Sequence, residues 1–320
     1  MTDGTLGTEE PSRTRDRTWL VALAAALWGT DALFRLPLVS EQLAAATIVL
    51  AEHVILVLVT LPWLPRSIRA ATRVCRPVDW WALIFIGAGA SATATVLFTM
   101  AFRYGDPITP VALQKLQPLF AAAAACLFLG ERLRPKYALF LFAAIASAWL
   151  LSFEDPFDVT VAGLSVALLA LGAAALWAGG TVAGRELSLR LDFTSITVLR
   201  FAIGLPAALV VAIATGAPLV PPAADFPGLV GLALVPGLAA LLLYYRALQS
   251  TPAARATIAE LAFPITAAIV GVTVLGASLS WSQWTGLVLL LLTVVGFARH
   301  EQRAEHTAVV APSKPTVQVG

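Results

Sequence analysis

The sequence predicts an all-α membrane protein with ten transmembrane helices in two inverted five-helix repeats, with both termini in the cytoplasm. Three observations lead to this fold class: the composition, the spacing of the apolar stretches, and the positions of Lys and Arg. Hydrophobic residues make up 59% of the 320 residues and charged residues only 12%, and the mean hydropathy is +0.84. An ordinary soluble domain contains about 25% charged residues. A chain this apolar cannot cover its hydrophobic surface within one water-soluble core, and its net charge of +2 gives no indication of nucleic acid binding.

The apolar stretches are long and numerous enough to cross a bilayer repeatedly. A hydrocarbon core about 30 Å thick requires roughly 20 apolar residues per helix. The spans predicted on this basis cover about residues 19–39, 44–64, 80–102, 107–129, 136–153, 159–183, 194–214, 227–248, 253–275 and 281–298. We interpret residues 1–18 as a disordered cytoplasmic N-terminus and 299–320 as a disordered cytoplasmic tail. The first apolar stretch has full span length, so we interpret it as a retained helix and not as a cleaved signal peptide.

The distribution of basic residues predicts the orientation. Cytoplasmic loops of membrane proteins are enriched in Lys and Arg. With the N-terminus inside, the cytoplasmic connections hold Arg66, Arg69, Arg73, Arg76, Arg132, Arg134, Lys136, Arg185, Arg190, Arg246 and Arg255. The outer connections are mainly acidic or uncharged, as at Glu154, Asp155 and Asp158. Both termini are therefore predicted to lie in the cytoplasm.

A polar, proline-containing stretch occurs twice within apolar surroundings. The sequence QKLQP at 114–118 lies in span four, and ELAFP at 260–264 follows 146 residues later in span nine. The predicted halves, 19–153 and 159–298, carry five spans each, and an odd number of spans forces the two halves into opposite orientations. Inverted repeats of this kind are typical of alternating-access transporters, whose site lies near the bilayer midplane between the repeats.

Several short motifs resemble the EamA-type halves of the drug/metabolite transporter superfamily. They are Trp28-Gly29, Gln117-Pro118, Gly130-Glu131-Arg132-Leu133, Tyr245-Arg246-Ala247-Leu248, Thr251-Pro252-Ala253-Ala254-Arg255 and Pro264. The resemblance covers roughly residues 20–299. It implies a ten-helix bundle of two inverted halves that moves small metabolites, and bacterial members are commonly exporters of amino acids or related compounds. The chain departs from the family pattern at Ala277, at Glu52-His53 and at Lys115, which leaves the cargo open.

Polar residues inside the predicted spans are the candidates for a transport site. A charged residue near the bilayer centre costs at least about 2.5–3.5 kcal/mol, so it normally faces a cavity or a partner. The predicted substrate-binding residues are Trp28, Asp31, Glu52, Gln114, Lys115, Trp177, Arg200, Tyr244 and Glu260. The candidates for proton coupling are Glu52, His53 and Glu260, because carboxylic acids and imidazoles take up and release protons.

Pro118 and Pro264 are predicted to break their helices. Proline has no backbone N–H, so Pro118 leaves the carbonyl of Gln114 without its helical donor, and Pro264 does the same for Glu260. We expect these two carbonyls to find partners in a water-filled cavity or on a neighbouring helix.

The charges beside these prolines allow more than one interpretation. Lys115 would bind a substrate carboxylate, or it forms a permanent ion pair with Glu52 or Glu260. Glu260 would hold a proton or a substrate amine, or it is the neutralised partner of Arg246 or Arg255. The sequence leaves these alternatives open.

Glu52 and Arg200 occupy corresponding positions in the two halves, 148 residues apart, and carry opposite charges. This exchange of sign predicts an ion pair between them across the repeat interface. His53 points about 100° away from Glu52 around the helix, so we expect only one of the two to face the cavity and favour Glu52.

Trp28 and Trp177 also correspond, and we predict that they form apolar walls for a substrate; the alternative is that they face lipid or pack against other helices. Asp31 lies one turn beyond Trp28, and Tyr244 lies in the inner half of span eight. Both are therefore placed within reach of the same cavity.

Motifs for other chemistry do not occur in the sequence. It contains no P-loop, HExxH, CxxC or Gly-x-Ser-x-Gly motif, and only three His and two Cys. We therefore predict no catalytic residues, no metal and no cofactor. We expect a secondary-active exporter of small polar or amino-acid-like metabolites in a bacterial cell membrane, as a monomer or homodimer, with proton coupling left open.

Two alternative functions use the same residues. An efflux carrier of lipophilic cations is the first, since buried carboxylates near aromatic rings suit such cargo. A membrane-embedded acid/base enzyme using Glu52, His53 and Lys115 is the second.

Overall fold

The protein is all-helical in the part of the chain that the structure, a computed structural model, describes: residues 17–104, 107–129, 136–248, 259–260 and 262–310. The motifs at 130–133 and 251–255 and most of the predicted terminal segments lie outside these residues. The helices of the first half are α1 Thr18–Gly29, α2 Asp31–Ser40, α3 Ala45–Thr60, α4 Leu64–Val74, α5 Pro77–Ile84, α6 Ala94–Ala101, α7 Ile108–Leu113, α8 Gln117–Leu129 and α9 Tyr137–Ser152. Those of the second half are α10 Val161–Ser188, α11 Phe193–Ala214, α12 Phe226–Leu232, α13 Ala240–Leu248, α14 Ala262–Thr273 and α15 Trp281–Val310.

Several helices join end to end into segments that can cross a bilayer. Seven such segments in the described residues are long and apolar enough: Thr18–Ser40, Ala45–Val74, Pro77–Ala101, Val161–Ser188, Phe193–Ala214, Ala223–Tyr244 and Trp281–His300. Two apolar helices are shorter, Tyr137–Leu151 and Ala262–Thr273. The chain is therefore a multi-pass membrane protein.

The basic connection after the second span is a helix, where the sequence analysis placed a loop. A 3-10 turn at Leu61–Trp63 carries the chain from α3 into α4. The whole segment Ala45–Val74 has 30 residues, about 45 Å at 1.5 Å per residue, and therefore extends beyond a hydrocarbon core of about 30 Å. The buried face of α4 carries Ser67 and Ala71; its arginines are exposed. The last helix, α15, likewise continues to Val310, past the expected end at 298.

Two stretches of π-helix interrupt the bundle at matching positions. Phe85–Thr93 links α5 to α6, and Ala233–Ala239 links α12 to α13. Their first residues are 148 apart, the same offset that relates Glu52 to Arg200. Short π-helical insertions are rare and are frequently found at functional sites. The sequence analysis did not predict them, although Pro236 within the second stretch is a signal for an irregular helix.

The predicted helix breaks take the form of tight turns. Gln114–Leu116 is a 3-10 turn between α7 and α8, and Glu260 lies in a turn ahead of α14. The N–H of Gln117 donates to the carbonyl of Gln114, and the N–H of Phe263 donates to the carbonyl of Glu260 at 3.0 Å. The expectation that these carbonyls need partners elsewhere was therefore wrong, because the tighter turn supplies a donor one residue earlier.

The helices of one half pack mainly against those of the other. The first helix, α1, packs against α13 and α14, and its counterpart α10 packs against α6 and α8. Two further contacts join equivalent helices, α3 with α11 and α9 with α15. This reciprocal packing places the helix breaks and the π-helical stretches of both halves around one central space.

Candidate functional site

A cavity of about 510 Å³ lies between the two halves. All nine predicted substrate-binding residues line it, together with His53. They come from both halves, and the broken and π-helical segments contribute Gln114, Lys115, Ala90 and Gly237 to the wall. The structure thus brings the whole predicted set together, and a role of these residues in binding stays a prediction.

Arg35 is held in the cavity wall by two carboxylates and a hydroxyl. Its Nε and Nη2 donate to the two oxygens of Asp31 at 2.6 and 2.7 Å, a bidentate pair. Its Nη1 donates to Thr99 Oγ1 at 2.7 Å, and its guanidinium carbon lies 5.6 Å from the centre of the Phe98 ring. Arg35 is only 3% exposed, so its geometry is fixed by these contacts.

Arg35 also forms an ion pair with Glu52. Arg35 Nη2 lies 3.7 Å from Glu52 Oε2, where the sequence analysis predicted a pair with Arg200. Arg200 lines the same cavity, and its Nη2 donates to the carbonyl of Ala90 at 3.4 Å. The sequence analysis did not include Arg35 in the site. Its position in the first span, four residues after Asp31, was the signal that identifies such a pair.

His53 lines the cavity beside Glu52, so the expectation that only one of the two faces it was wrong. Nδ1 of His53 lies 2.8 Å from the carbonyl of Val49, which can only accept, so this nitrogen carries a hydrogen. Nε2 lies 3.0 Å from Ser91 Oγ, a hydroxyl that can donate to this nitrogen or accept from it. A methyl group at Gly204 would lie 2.7 Å from the imidazole. His53 is thus clamped among three helical segments.

Lys115 and Glu260 form an ion pair between the two helix breaks. Lys115 Nζ lies 3.5 Å from Glu260 Oε2 and 4.6 Å from the centre of the Phe263 ring, within the range of a cation–π contact. The Tyr244 hydroxyl donates a short hydrogen bond to the other oxygen, Glu260 Oε1. The structure thus pairs Lys115 with Glu260, one of the two partners that the sequence left open, and the pair joins the first half to the second. A role of either residue in binding cargo stays a prediction.

Two pairs of aromatic rings form part of the wall. The rings of Trp28 and Tyr244 lie 5.0 Å apart at 53°, and those of Trp177 and Phe98 lie 5.3 Å apart at 64°. Each tryptophan thus packs on a ring from the other half. Trp28 and Trp177 therefore pack between helices and also line the cavity. This arrangement is compatible both with a structural role and with a wall for the substrate.

Two buried side-chain oxygens in the wall have no hydrogen-bond partner among the described residues, Glu52 Oε2 and Gln114 Oε1. The distance of 3.7 Å from Arg35 is an ion-pair distance and too long for a hydrogen bond. The neighbouring amide of Gln117 differs, since its Nε2 donates to Thr181 Oγ1 at 3.1 Å.

The cavity lining extends to a connection between two helices. It continues along α10 to Ser188, an exposed residue at the connection to α11.

Comparison with protein families identifies a repeated match. The model of the EamA-like transporter family matches residues 18–153 and again residues 164–299. The "Riboflavin transporter ImpX" of Fusobacterium nucleatum subsp. nucleatum is 27% identical over 290 residues, covering 88% of this chain and 96% of that protein. The "Uncharacterized transporter YwfM" of Bacillus subtilis is 29% identical over 236 residues, covering 72% of this chain and 78% of the relative.

A solved protein structure shares the fold. It superposes with a TM-score of 0.60 at 19% sequence identity, covering 90% of this chain and 98% of the other. At this identity the likeness concerns the arrangement of helices alone.

Proposed function

This chain belongs to the EamA-like transporter family, and we propose that it is a secondary-active carrier that exports a small polar or amino-acid-like metabolite by alternating access. The observation that carries the proposal is the cavity of about 510 Å³ between the two repeats, lined from both by charged and aromatic side chains. Such a site at a repeat interface suits a carrier, because relative movement of the halves changes the side from which the site is reached.

The proposed architecture has ten membrane-crossing helices in two inverted halves, with both termini in the cytoplasm. The Lys and Arg pattern supports this orientation. In that frame the connection between α10 and α11 is cytoplasmic, and the end of the cavity at Ser188 faces the cytoplasm. The conformation described above is then the inward-facing one, ready to accept cargo from inside the cell.

The exchange between conformations would use the irregular helical segments. The 3-10 turn at Gln114–Leu116 and the π-helical stretches lie in the cavity wall, and irregular segments absorb bending more easily than regular helix. The Lys115–Glu260 pair spans the two halves at 3.5 Å. Movement of one half against the other would lengthen or re-form this contact, so the pair favours one of the two conformations.

Flux through sealed vesicles tests the carrier proposal. The full chain is reconstituted into liposomes, and uptake of labelled amino acids is measured with and without unlabelled solute inside. We expect saturable uptake that is accelerated by internal solute, which is counterflow. Flux that rises linearly with concentration and shows no counterflow would indicate a channel, and chemical conversion of the solute without flux would indicate an enzyme.

A flavin is a second candidate cargo. The aromatic pairs in the cavity wall suit a planar ring, and one relative is named as a riboflavin transporter. Riboflavin is fluorescent, so quenching on titration with the reconstituted protein measures its binding directly. If riboflavin shows no quenching up to its solubility limit, this candidate is removed.

A further inference from the structure

We propose that the cargo of this cavity carries no net charge and presents N–H or O–H donors to Glu52 and Gln114. The inference rests on the proposed carrier function and narrows the chemical class of its substrate. It is carried by two independent observations, the charge balance of the cavity wall and the oxygens that lack donors.

The ionisable groups of the cavity wall balance one another. Three carboxylates line it, Asp31, Glu52 and Glu260, and they face three cations, Arg35, Lys115 and Arg200. Asp31 and Glu52 both lie within ion-pair distance of Arg35, at 2.6 and 3.7 Å, and Glu260 lies 3.5 Å from Lys115. His53 is left out of this count, because both of its ring nitrogens are already held by the protein, at the Val49 carbonyl and the Ser91 hydroxyl.

A net charge on the cargo would disturb this balance. An uncompensated charge is costly in a cavity of low dielectric, where Coulomb interactions are stronger than in water. A cation placed against Glu52 would meet Arg35, which already lies 3.7 Å from the same carboxylate. An anion placed against Lys115 would meet Glu260 in the same way. The balance therefore disfavours lipophilic cations, one of the alternatives that the sequence left open.

The oxygens without donors indicate what a neutral cargo supplies. Arg35 directs its Nε to Asp31, its Nη1 to Thr99 and its Nη2 to Asp31. It holds Glu52 by charge and leaves Oε2 without a hydrogen bond among the described residues. Gln114 Oε1 is in the same situation. A buried acceptor without a donor is unfavourable, and both atoms belong to lining residues, so donors of a bound molecule would satisfy them.

A series of ligands with one ring system and different charge tests the proposal. The probes are tryptophan, which is a zwitterion, its methyl ester, which is a cation, and N-acetyltryptophan, which is an anion. Riboflavin and its 5′-phosphate form a second pair, neutral and anionic. Binding to the full-length protein in lipid nanodiscs is measured as a ligand-dependent rise in melting temperature. We expect at least one neutral member to bind about tenfold or more tightly than its charged counterparts, as one unbalanced charge requires.

Two neutralising substitutions shift the charge of the wall in opposite directions. Glu52→Gln adds one positive charge to the cavity, and we expect relative affinity to move toward N-acetyltryptophan and riboflavin phosphate. Arg200→Gln removes one positive charge from the cavity, and we expect relative affinity to move toward the methyl ester. The matched controls Asp158→Asn and Arg103→Gln make the same changes at exposed residues outside the cavity wall and should leave the order of affinities unaltered.

Three results would overturn the proposal. The first is that the unaltered protein binds a charged probe as tightly as its neutral counterpart or more tightly. The second is that neither neutral probe binds. The third is that the order of affinities is the same in both variants as in the unaltered protein. If neither variant folds, the series on the unaltered protein decides alone. Counterflow in vesicles keeps this test separate from the carrier function, because saturable exchange of a charged solute would contradict the neutral cargo and leave the carrier standing.

Discussion

The two halves of this protein share the positions of several irregular backbone segments. They differ in the charged side chains that line the cavity. The π-helical stretches begin at Phe85 and Ala233, and the tight turns begin at Gln114 and Glu260, at nearly constant offsets of 148 and 146 residues. The reciprocal packing of α1 and α10 follows the same rule. These four irregular segments therefore follow the repeat, whereas the break at Thr30 and the 3-10 turn at Leu61–Trp63 have no counterpart in the continuous helices α10 and α11.

The charged residues do not follow the repeat. Asp31 and Arg35 in α2 correspond, at an offset of 149, to Gly180 and Gly184 in α10. A methyl group at Gly180 would lie 2.4 Å from the Cβ atom of Ala90, so the second half has no room there for a side chain. The first half thus carries most of the buried charge, and the second half supplies close packing in its place.

This difference shows which features serve movement and which serve recognition. A symmetric backbone allows the two halves to exchange roles when the carrier changes conformation. A metabolite is not symmetric, so the groups that bind it need not be equivalent in the two halves.

Removing Arg35 makes the largest change to the asymmetric half. Arg35→Met leaves Asp31 and Glu52 buried near each other without their shared cation, which should cost about 3–5 kcal/mol of unfolding free energy. Denaturant unfolding in detergent measures this loss. Adding Asp31→Asn should recover part of the loss, since one buried charge is then removed. A change below about 1 kcal/mol would show that Arg35 does not hold the two carboxylates.

Gly29 tests the packing of the first half. A methyl group there would lie 2.7 Å from the backbone oxygen of Phe263, whereas the corresponding position in the second half is already Ala178. Gly29→Ala should therefore push α1 away from α14 and cost about 1–3 kcal/mol, measured by the same unfolding experiment. Gly172→Ala is the control, because its nearest neighbour, Leu97 Cδ1, lies at an ordinary 3.5 Å. Equal effects of the two substitutions would contradict the packing argument.

The Lys115–Glu260 pair tests the link between the halves. Lys115→Leu gives the first half the residue that the second half has at 261, and we expect a fall of about tenfold in the counterflow rate, as the loss of roughly 1.4 kcal/mol implies. The swapped variant, Lys115→Glu with Glu260→Lys, should retain more activity than either single change. If the swapped variant has a counterflow rate no higher than that of the slower single variant, the attraction between the two charges does not explain the effect.

The helix caps provide the smallest test. Asp192 caps α11, accepting from the N–H of Ser195 at 3.0 Å, whereas its counterpart Ala44 leaves α3 without a side-chain cap. Asp192→Ala should cost about 1 kcal/mol and Ala44→Asp should gain part of that, as read from melting temperatures. Partial burial would raise the pKa of Asp192, but the bonds from Ser195 hold it below 3.8. The stabilisation is thus present above pH 3.8 and is lost as the pH falls through the lower folded value.

The membrane class, the repeat and most of the charged residues of the cavity could be predicted without coordinates, whereas Arg35 was missed. Polar residues in an apolar segment are conspicuous, and the cost of burying them leaves few places where they fit. The form of the helix breaks could not be predicted, because whether a proline leaves a carbonyl open depends on how tightly the preceding turn winds. The same limit applies to α4, where local sequence alone does not separate a basic helix from a basic loop.

The sequence by itself determined that this chain spans a membrane in two related halves, because composition and spacing are properties of the chain alone. Only the tertiary structure decided which charges pair. Lys115 meets Glu260 across 145 positions of the sequence, and Arg35 takes both Asp31 and Glu52. Ion pairing depends on distances of a few ångströms between helices, and those distances are set by how α1, α10 and their neighbours pack. The same packing leaves Glu52 Oε2 and Gln114 Oε1 without donors among the described residues, which directs attention to the cargo.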